Sequence, residues 1–250
     1  MSALTYLLLL LAGFAGGLID AIAGGGGLIT LPALLAAGLP PQLALGTNKL
    51  QSACGTGFAV WRYARAGMLV TSGLWLAAGL ALLGGMAGAL AVSVLNRDLL
   101  RVVIPWLLAA VAVYTALNRR FGLESGHRRL SPVGFAVGFG LVLGFYDGFF
   151  GPGTGSFWTL ALVALLGLEL REATGYTKAV NLASNLGSLG IFLAFGSVHF
   201  AAAGAMIAGQ LLGARLGSGL VIRRGAGLIR PVFLTVVFAL AFKLLWDAWG

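Results

Sequence analysis

Residues 20–51 read D-A-I-A-G-G-G-G-L-I-T-L-P-A-L-L-A-A-G-L-P-P-Q-L-A-L-G-T-N-K-L-Q. Four glycines, Gly24, Gly25, Gly26 and Gly27, stand between a pair of apolar runs. Asp20 precedes them, and Thr47, Asn48 and Lys49 follow inside a further apolar run. Glycine lets a backbone turn sharply or approach a ligand closely. In an apolar chain such a break frees backbone N–H and C=O groups. Lipid cannot satisfy them, so they must face protein or a wet cavity.

The stretch recurs. Residues 144–181 read G-F-Y-D-G-F-F-G-P-G-T-G-S-F-W-T-L-A-L-V-A-L-L-G-L-E-L-R-E-A-T-G-Y-T-K-A-V-N. Asp147 matches Asp20, Gly151 matches Gly24, Gly153 matches Gly26, and Lys178 matches Lys49, with two single-residue insertions. A repeat of about half the chain length means two similar halves rather than a short-period solenoid. The expected organisation is a first membrane repeat over 1–118, a cytoplasmic linker loop over 119–130 and a second membrane repeat over 131–250. In membrane chains such halves mark secondary transporters, whose sites form where broken helices meet.

The composition agrees. Of 250 residues, 59% are hydrophobic and 9% charged, and mean hydropathy is +0.98. A soluble domain carries roughly 25% charged residues. The chain therefore reads as an all-α polytopic membrane protein whose partner is the lipid bilayer. The net charge of +9 does not point to nucleic acid, because most arginines fall in short loops between apolar runs. The single cysteine, Cys54, excludes an intramolecular disulfide. Neither His127 nor His199 sits near it, so no metal is expected, and no cofactor. The N-terminal apolar run lacks a basic leader and carries Asp20 beside its only cleavage-like tripeptide, so it reads as a span rather than a signal peptide.

Ten apolar segments follow: 4–23, 28–39, 42–61, 68–95, 99–117, 133–150, 157–168, 173–195, 200–222 and 232–249. A spanning helix needs about 20 residues, so the second and seventh are expected to be half-helices or re-entrant segments. Alternating the segments puts Arg62, Arg65, Arg119, Arg120, Arg128, Arg129, Arg171, Arg223, Arg224 and Arg230 on one side, and Arg97 and Arg101 on the other. Ten against two assigns the first side to the cytoplasm and both termini to the periplasm. Five segments per half is odd, which inverts one half relative to the other.

Asp20 and Asp147 lie at the ends of apolar runs. Charges inside membrane segments are expensive and usually functional, so both are candidates for proton coupling. The alternative is that each caps the next short helix. Lys49 and Lys178 lie inside apolar runs among Thr47, Asn48, Gln51, Tyr176, Thr177 and Asn181. That polar clustering points to a substrate pathway, against a lysine stem snorkelling to the headgroups. The glycine breaks open short helices whose N–H groups suit an anion; the bland reading is close packing through small residues. Gly84, Gly85, Gly88, Gly213 and Gly217 are assigned to packing. The expected anion site is Gly24, Gly25, Gly26, Gly27, Asn48, Lys49, Gln51, Gly153, Gly155, Ser156, Lys178 and Asn181. Glutamine at either lysine is expected to weaken anion binding and spare the fold. Ser156 has no histidine near it to act as base, so catalysis is not expected.

The runs G-L-I-D-A-I-A-G-G-G-G-L-I-T-L-P-A-L, A-L-G-T-N-K-L-Q and G-F-Y-D-G-F-F-G-P-G-T-G-S-F, with G-Q-L-L-G-A-R-L-G-S at 209–218, resemble the sulfite exporter TauE/SafE family of membrane transporters. The resemblance covers essentially the whole chain. It implies movement of small sulfur-containing anions, such as sulfite or organosulfonates, across the bacterial cytoplasmic membrane. The expected function is secondary anion transport with proton coupling, with a homodimer left open. The alternatives are a passive anion channel on the same scaffold and a membrane protein without transport.

Overall fold

A computed structural model describes residues 1–95 and 129–225. They form eight helices: α1 (Ala3–Ala23), α2 (Gly27–Ala36), α3 (Pro41–Arg65), α4 (Leu74–Val94), α5 (Pro132–Phe149), α6 (Thr154–Leu166), α7 (Leu170–Ala194) and α8 (Phe200–Arg224). There is no strand among the described residues, and the protein is an all-helical membrane protein. The expected segments 99–117 and 232–249 lie outside the described residues. The other eight each correspond to one helix.

Local chemistry sets the ends. Ser2 and Ser131 cap α1 and α5 by accepting from the N–H groups of Thr5 and Gly134, and Glu169 with Glu172 forms a capping box on α7. Pro41 opens α3 at the position where its missing N–H costs nothing. The fourth helix starts later than the hydropathy predicts, at Leu74 rather than residue 68. Gly67 and Gly73 both take positive φ, 67° and 72°, and hold the intervening residues out of the helix.

α1, α4, α5 and α8 are long and apolar enough to cross a membrane. At 25 residues, α3 and α7 reach about 37 Å, but their polar residues lower their hydropathy. α2 and α6, with 10 and 13 residues, reach only about 15 and 20 Å, against a hydrocarbon core of about 30 Å.

Two apolar clusters fill the interior, and the long helices send opposite ends into them. α1 gives Leu9 to one and Ile22 to the other; α3 gives Leu45 and Tyr63; α4 gives Val92 and Ala77; α8 gives Met206 and Val221. The buried residues of the short helices fall in one cluster each: Leu28, Leu31 and Leu34 of α2 in the first, and Trp158 and Leu162 of α6 in the second, with Phe157 near the α6 start reaching back to the first. The α2 and α6 N-termini thus lie at mid-depth, and the polar residues of α3 and α7 occupy the layer between the clusters. Running directions follow. α1 passes from the first cluster to the second, whereas α5 starts with Phe135 in the second and ends with Phe149 against the first. Arg62, Arg65, Arg129, Arg171, Arg223 and Arg224 all fall at the second-cluster end, as the helix bounds show.

Packing does not follow the sequence halves. The most extensive pairings are α1 with α8 and α4 with α5, followed by α4 with α7. The helices therefore form two bodies: α1, α2, α3 and α8, and α4, α5, α6 and α7. Each half lends its fourth helix to the other body. Between the bodies the principal contact is α3 against α7. The glycines assigned to packing hold these pairings close. A Cβ on Gly84 or Gly88 would strike the α5 backbone, and one on Gly213 or Gly217 the α1 backbone.

Candidate functional site

The site is built where α1 and α5 end. Gly24, with φ 76°, closes α1 by donating its N–H to the Asp20 carbonyl at 2.9 Å. Gly151, with φ 95°, follows α5 and donates to the Tyr146 carbonyl at 3.2 Å. The two breaks face each other. A Cβ built on Gly24 would sit 2.7 Å from the Gly155 backbone, and one on Gly155 would sit 2.6 Å from Gly24 Cα. Only glycine allows this approach. Ser156 Oγ fastens it by donating to the Ala23 carbonyl at 3.2 Å. Among the described residues the N–H groups of Gly25, Gly26 and Gly27 find no acceptor, nor do those of Gly153 and Gly155. Both short helices begin uncapped at the centre of the bundle.

Neither aspartate caps a short helix, since no side chain caps α2 or α6. The aspartates instead pair with the lysines, and the pairs cross between the two bodies. Lys49 Nζ lies 2.9 Å from Asp147 Oδ1, and Lys178 Nζ lies 2.9 Å from Asp20 Oδ2. Both lysines are 1% exposed, which rules out snorkelling to the interface. The residue seven positions after each lysine completes the opposite pair. Asn185 Oδ1 accepts from Lys49 at 3.2 Å, and Thr56 Oγ1 donates to Asp20 Oδ2 at 3.4 Å. Ser184 Oγ donates to the other oxygen of Asp147. A second matched contact lies alongside: Thr30 Oγ1 donates to Asn48 Oδ1 at 2.6 Å, and the hydroxyls of Thr159 and Thr177 bond at 3.0 Å.

A polar cavity of about 20 Å³ sits among these groups, lined by Asp20, Gly24, Gly27, Asn48, Lys49, Ser52, Thr56, Asp147, Gly151, Gly155, Asn181 and Asn185. That volume holds about one water and excludes an oxyanion of four or more heavy atoms. Eight of the expected site residues line it: Asp20, Asp147, Gly24, Gly27, Asn48, Lys49, Gly155 and Asn181. The others stand behind. Gln51 Nε2 donates to Asn48 Oδ1 at 2.9 Å, Lys178 reaches the cavity through Asp20, Gly153 precedes α6, and Gly26 packs on Asp20 Cβ. Gly25 makes no close contact. The sequence reading assigned no role to Thr30, Thr56, Thr159 or Asn185. The repeat offset held the signal: 129 residues match Lys49 to Lys178, and also Thr30 to Thr159 and Thr56 to Asn185.

Residues 9–244 match the family model described as "Sulfite exporter TauE/SafE". The chain belongs to the TauE/SafE family. A probable membrane transporter protein, ORF9, from Sinorhizobium sp is 44% identical over 239 residues, covering 96% of this chain and 92% of that one. The probable membrane transporter protein YfcA of Escherichia coli K12 is 44% identical over 241 residues, covering 96% and 88%. A probable membrane transporter protein of Haemophilus influenzae is 40% identical over 240 residues, covering 96% and 94%. No solved structure matches. This TauE/SafE member is thus a membrane transporter and not an enzyme.

Proposed function

We propose that the chain is a proton-coupled secondary transporter of small sulfur-containing anions, of the sulfite or organosulfonate kind, in the bacterial cytoplasmic membrane. The observation that carries the reading is the pair of crossed lysine–aspartate contacts between two uncapped half-helix ends. Two ammonium groups and two carboxylates cancel, so the closed site is neutral. An anion entering it unaccompanied would add an uncompensated charge in a poorly solvated place, which is costly. Protonating Asp20 or Asp147 removes that cost. The partner lysine is left uncompensated, and the anion replaces the carboxylate as its counter-ion. Proton and anion then enter together and leave together. Because the cavity admits only about one water, loading requires the two bodies to separate along α3 and α7. The opposed running directions of α1 and α5 support reading the halves as an inverted repeat, with the site at their interface.

The test is sulfite flux into proteoliposomes with and without a pH gradient. The parent is expected to respond to the gradient. The double variant Asp20→Asn/Asp147→Asn is expected to lose that response, since an amide cannot take up the proton. A folded double variant with the parent's pH dependence would remove the aspartates from coupling.

Orientation is tested separately. The arginine-rich end is placed in the cytoplasm, which puts both termini in the periplasm. A C-terminal reporter active only in the cytoplasm is expected to stay dark, and a bright fusion would reverse the topology.

A further inference from the structure

The cavity wall carries three asparagines, Asn48, Asn181 and Asn185, and hydrogen bonding fixes how two of them point. An ammonium only donates, so the Asn185 atom 3.2 Å from Lys49 Nζ must be its carbonyl oxygen. Its NH2 group is thereby turned away from the lysine, and among the described residues it donates to nothing. Asn48 is fixed alike: its oxygen accepts from both Thr30 and Gln51, and among the described residues its NH2 has no acceptor. Asn181 is 6% exposed, and its Oδ1 is buried with no partner. Three carboxamides thus reach a cavity in which the formal charges already cancel. The NH2 groups of Asn48 and Asn185 are donors without an acceptor among the described residues, beside the unpartnered Asn181 Oδ1.

We infer that Asn185 is a specificity-determining residue: its oxygen steadies Lys49, while its NH2, with those of Asn48 and Asn181, forms a neutral donor cage for an anion with several acceptor oxygens. The inference rests on the anion-transport reading and deepens it. Charge draws in any small anion. Fixed N–H donors favour one whose oxygens reach several of them at once, so sulfite should be held above chloride. The position seven residues after the other lysine, Thr56, spends its hydroxyl on Asp20, so at this matched position only the second half offers a free donor.

Asn185→Met separates the two roles without adding charge, because its thioether sulfur can still accept weakly from Lys49 but offers no donor. Asn185→Ala removes both. The parent and each variant are purified, and thermal shifts are read against titrated sulfite and chloride; sulfite flux is then measured in proteoliposomes. The expected result is a sulfite shift in the parent larger than the chloride shift. Both variants should raise the apparent dissociation constant and KM for sulfite about tenfold or more, the cost of one lost donor to a charged acceptor, while chloride changes little. Asn185→Met should keep more of the parent's melting temperature in the absence of anion than Asn185→Ala, which loses the contact with Lys49 altogether. Variants that bind and move sulfite as the parent does would overturn the role of Asn185 and leave the transport reading standing. A parent that neither shifts with sulfite nor moves it would overturn both.

Discussion

Lys49→Gln is expected to destabilise the protein by about 3–5 kcal/mol, the usual cost of removing one partner from a buried ion pair. The sequence alone suggested that glutamine would spare the fold. The structure changes that expectation, because Asp147 is 4% exposed and would be left as a carboxylate without its counter-ion. The double variant Lys49→Gln/Asp147→Asn should regain most of the lost stability, since two amides can bond to each other and to Ser184 and Asn185. Under the proposed coupling it should not regain transport, because the amide pair carries no charge to exchange. Melting temperatures of the parent, the two single variants and the double variant give the coupling between the two residues directly. Additive losses would mean that the pair is well solvated and that its charges are not the lock between the two bodies. The Lys178–Asp20 pair should couple less, because the Asp20 side chain is 16% exposed against 6% for Asp147.

Gly148→Leu is the second large effect. Gly148 faces Gly85 across the α4–α5 seam, and a Cβ there would land on the Gly85 carbonyl. The obstacle is backbone, so no side chain can swing aside and the two helices must separate. Gly144 against Ala81 and Gly88 against Phe145 repeat the contact along the same seam. Overpacking costs typically 1–3 kcal/mol, and the upper end, about 3 kcal/mol, is expected here. Gly138→Leu is the control on the same helix: that glycine is exposed and has nothing within 4 Å of a built Cβ. It should melt like the parent. Equal stability of the two variants would show that the seam gives way more easily than its geometry indicates.

Much of this was legible in the residues. Apolar length gave the helices and marked α2 and α6 as short, because a bilayer sets a length that sequence can be measured against. The doubled motif singled out Asp20, Asp147, Lys49 and Lys178, because charge inside an apolar run stands out against composition. What did not show was which aspartate meets which lysine. Lys178 and Asp20 are 158 positions apart, and no periodicity encodes a contact between halves. The capping reading failed for the same reason: an aspartate ahead of a glycine break looks like a local partner for the next helix until a lysine from the other half is in view. Thr30, Thr56 and Thr159 were passed over because a threonine in an apolar helix is common, and only its partner makes it notable.

The exchange of fourth helices also bears on the order in which the molecule can be completed during synthesis. Among the described helices, α4, α5, α6 and α7 follow one another in the sequence, so their body can close as soon as α7 is inserted. The other body is assembled from the two ends of the chain. α1, α2 and α3 leave the ribosome first, yet the groove of α1 that receives α8 stays empty until residues 200–224 arrive. Through most of translation the glycine face of α1 is therefore open to lipid or to a neighbouring nascent chain. A truncation ahead of residue 200 would leave the central body able to form and the first three helices without their cover.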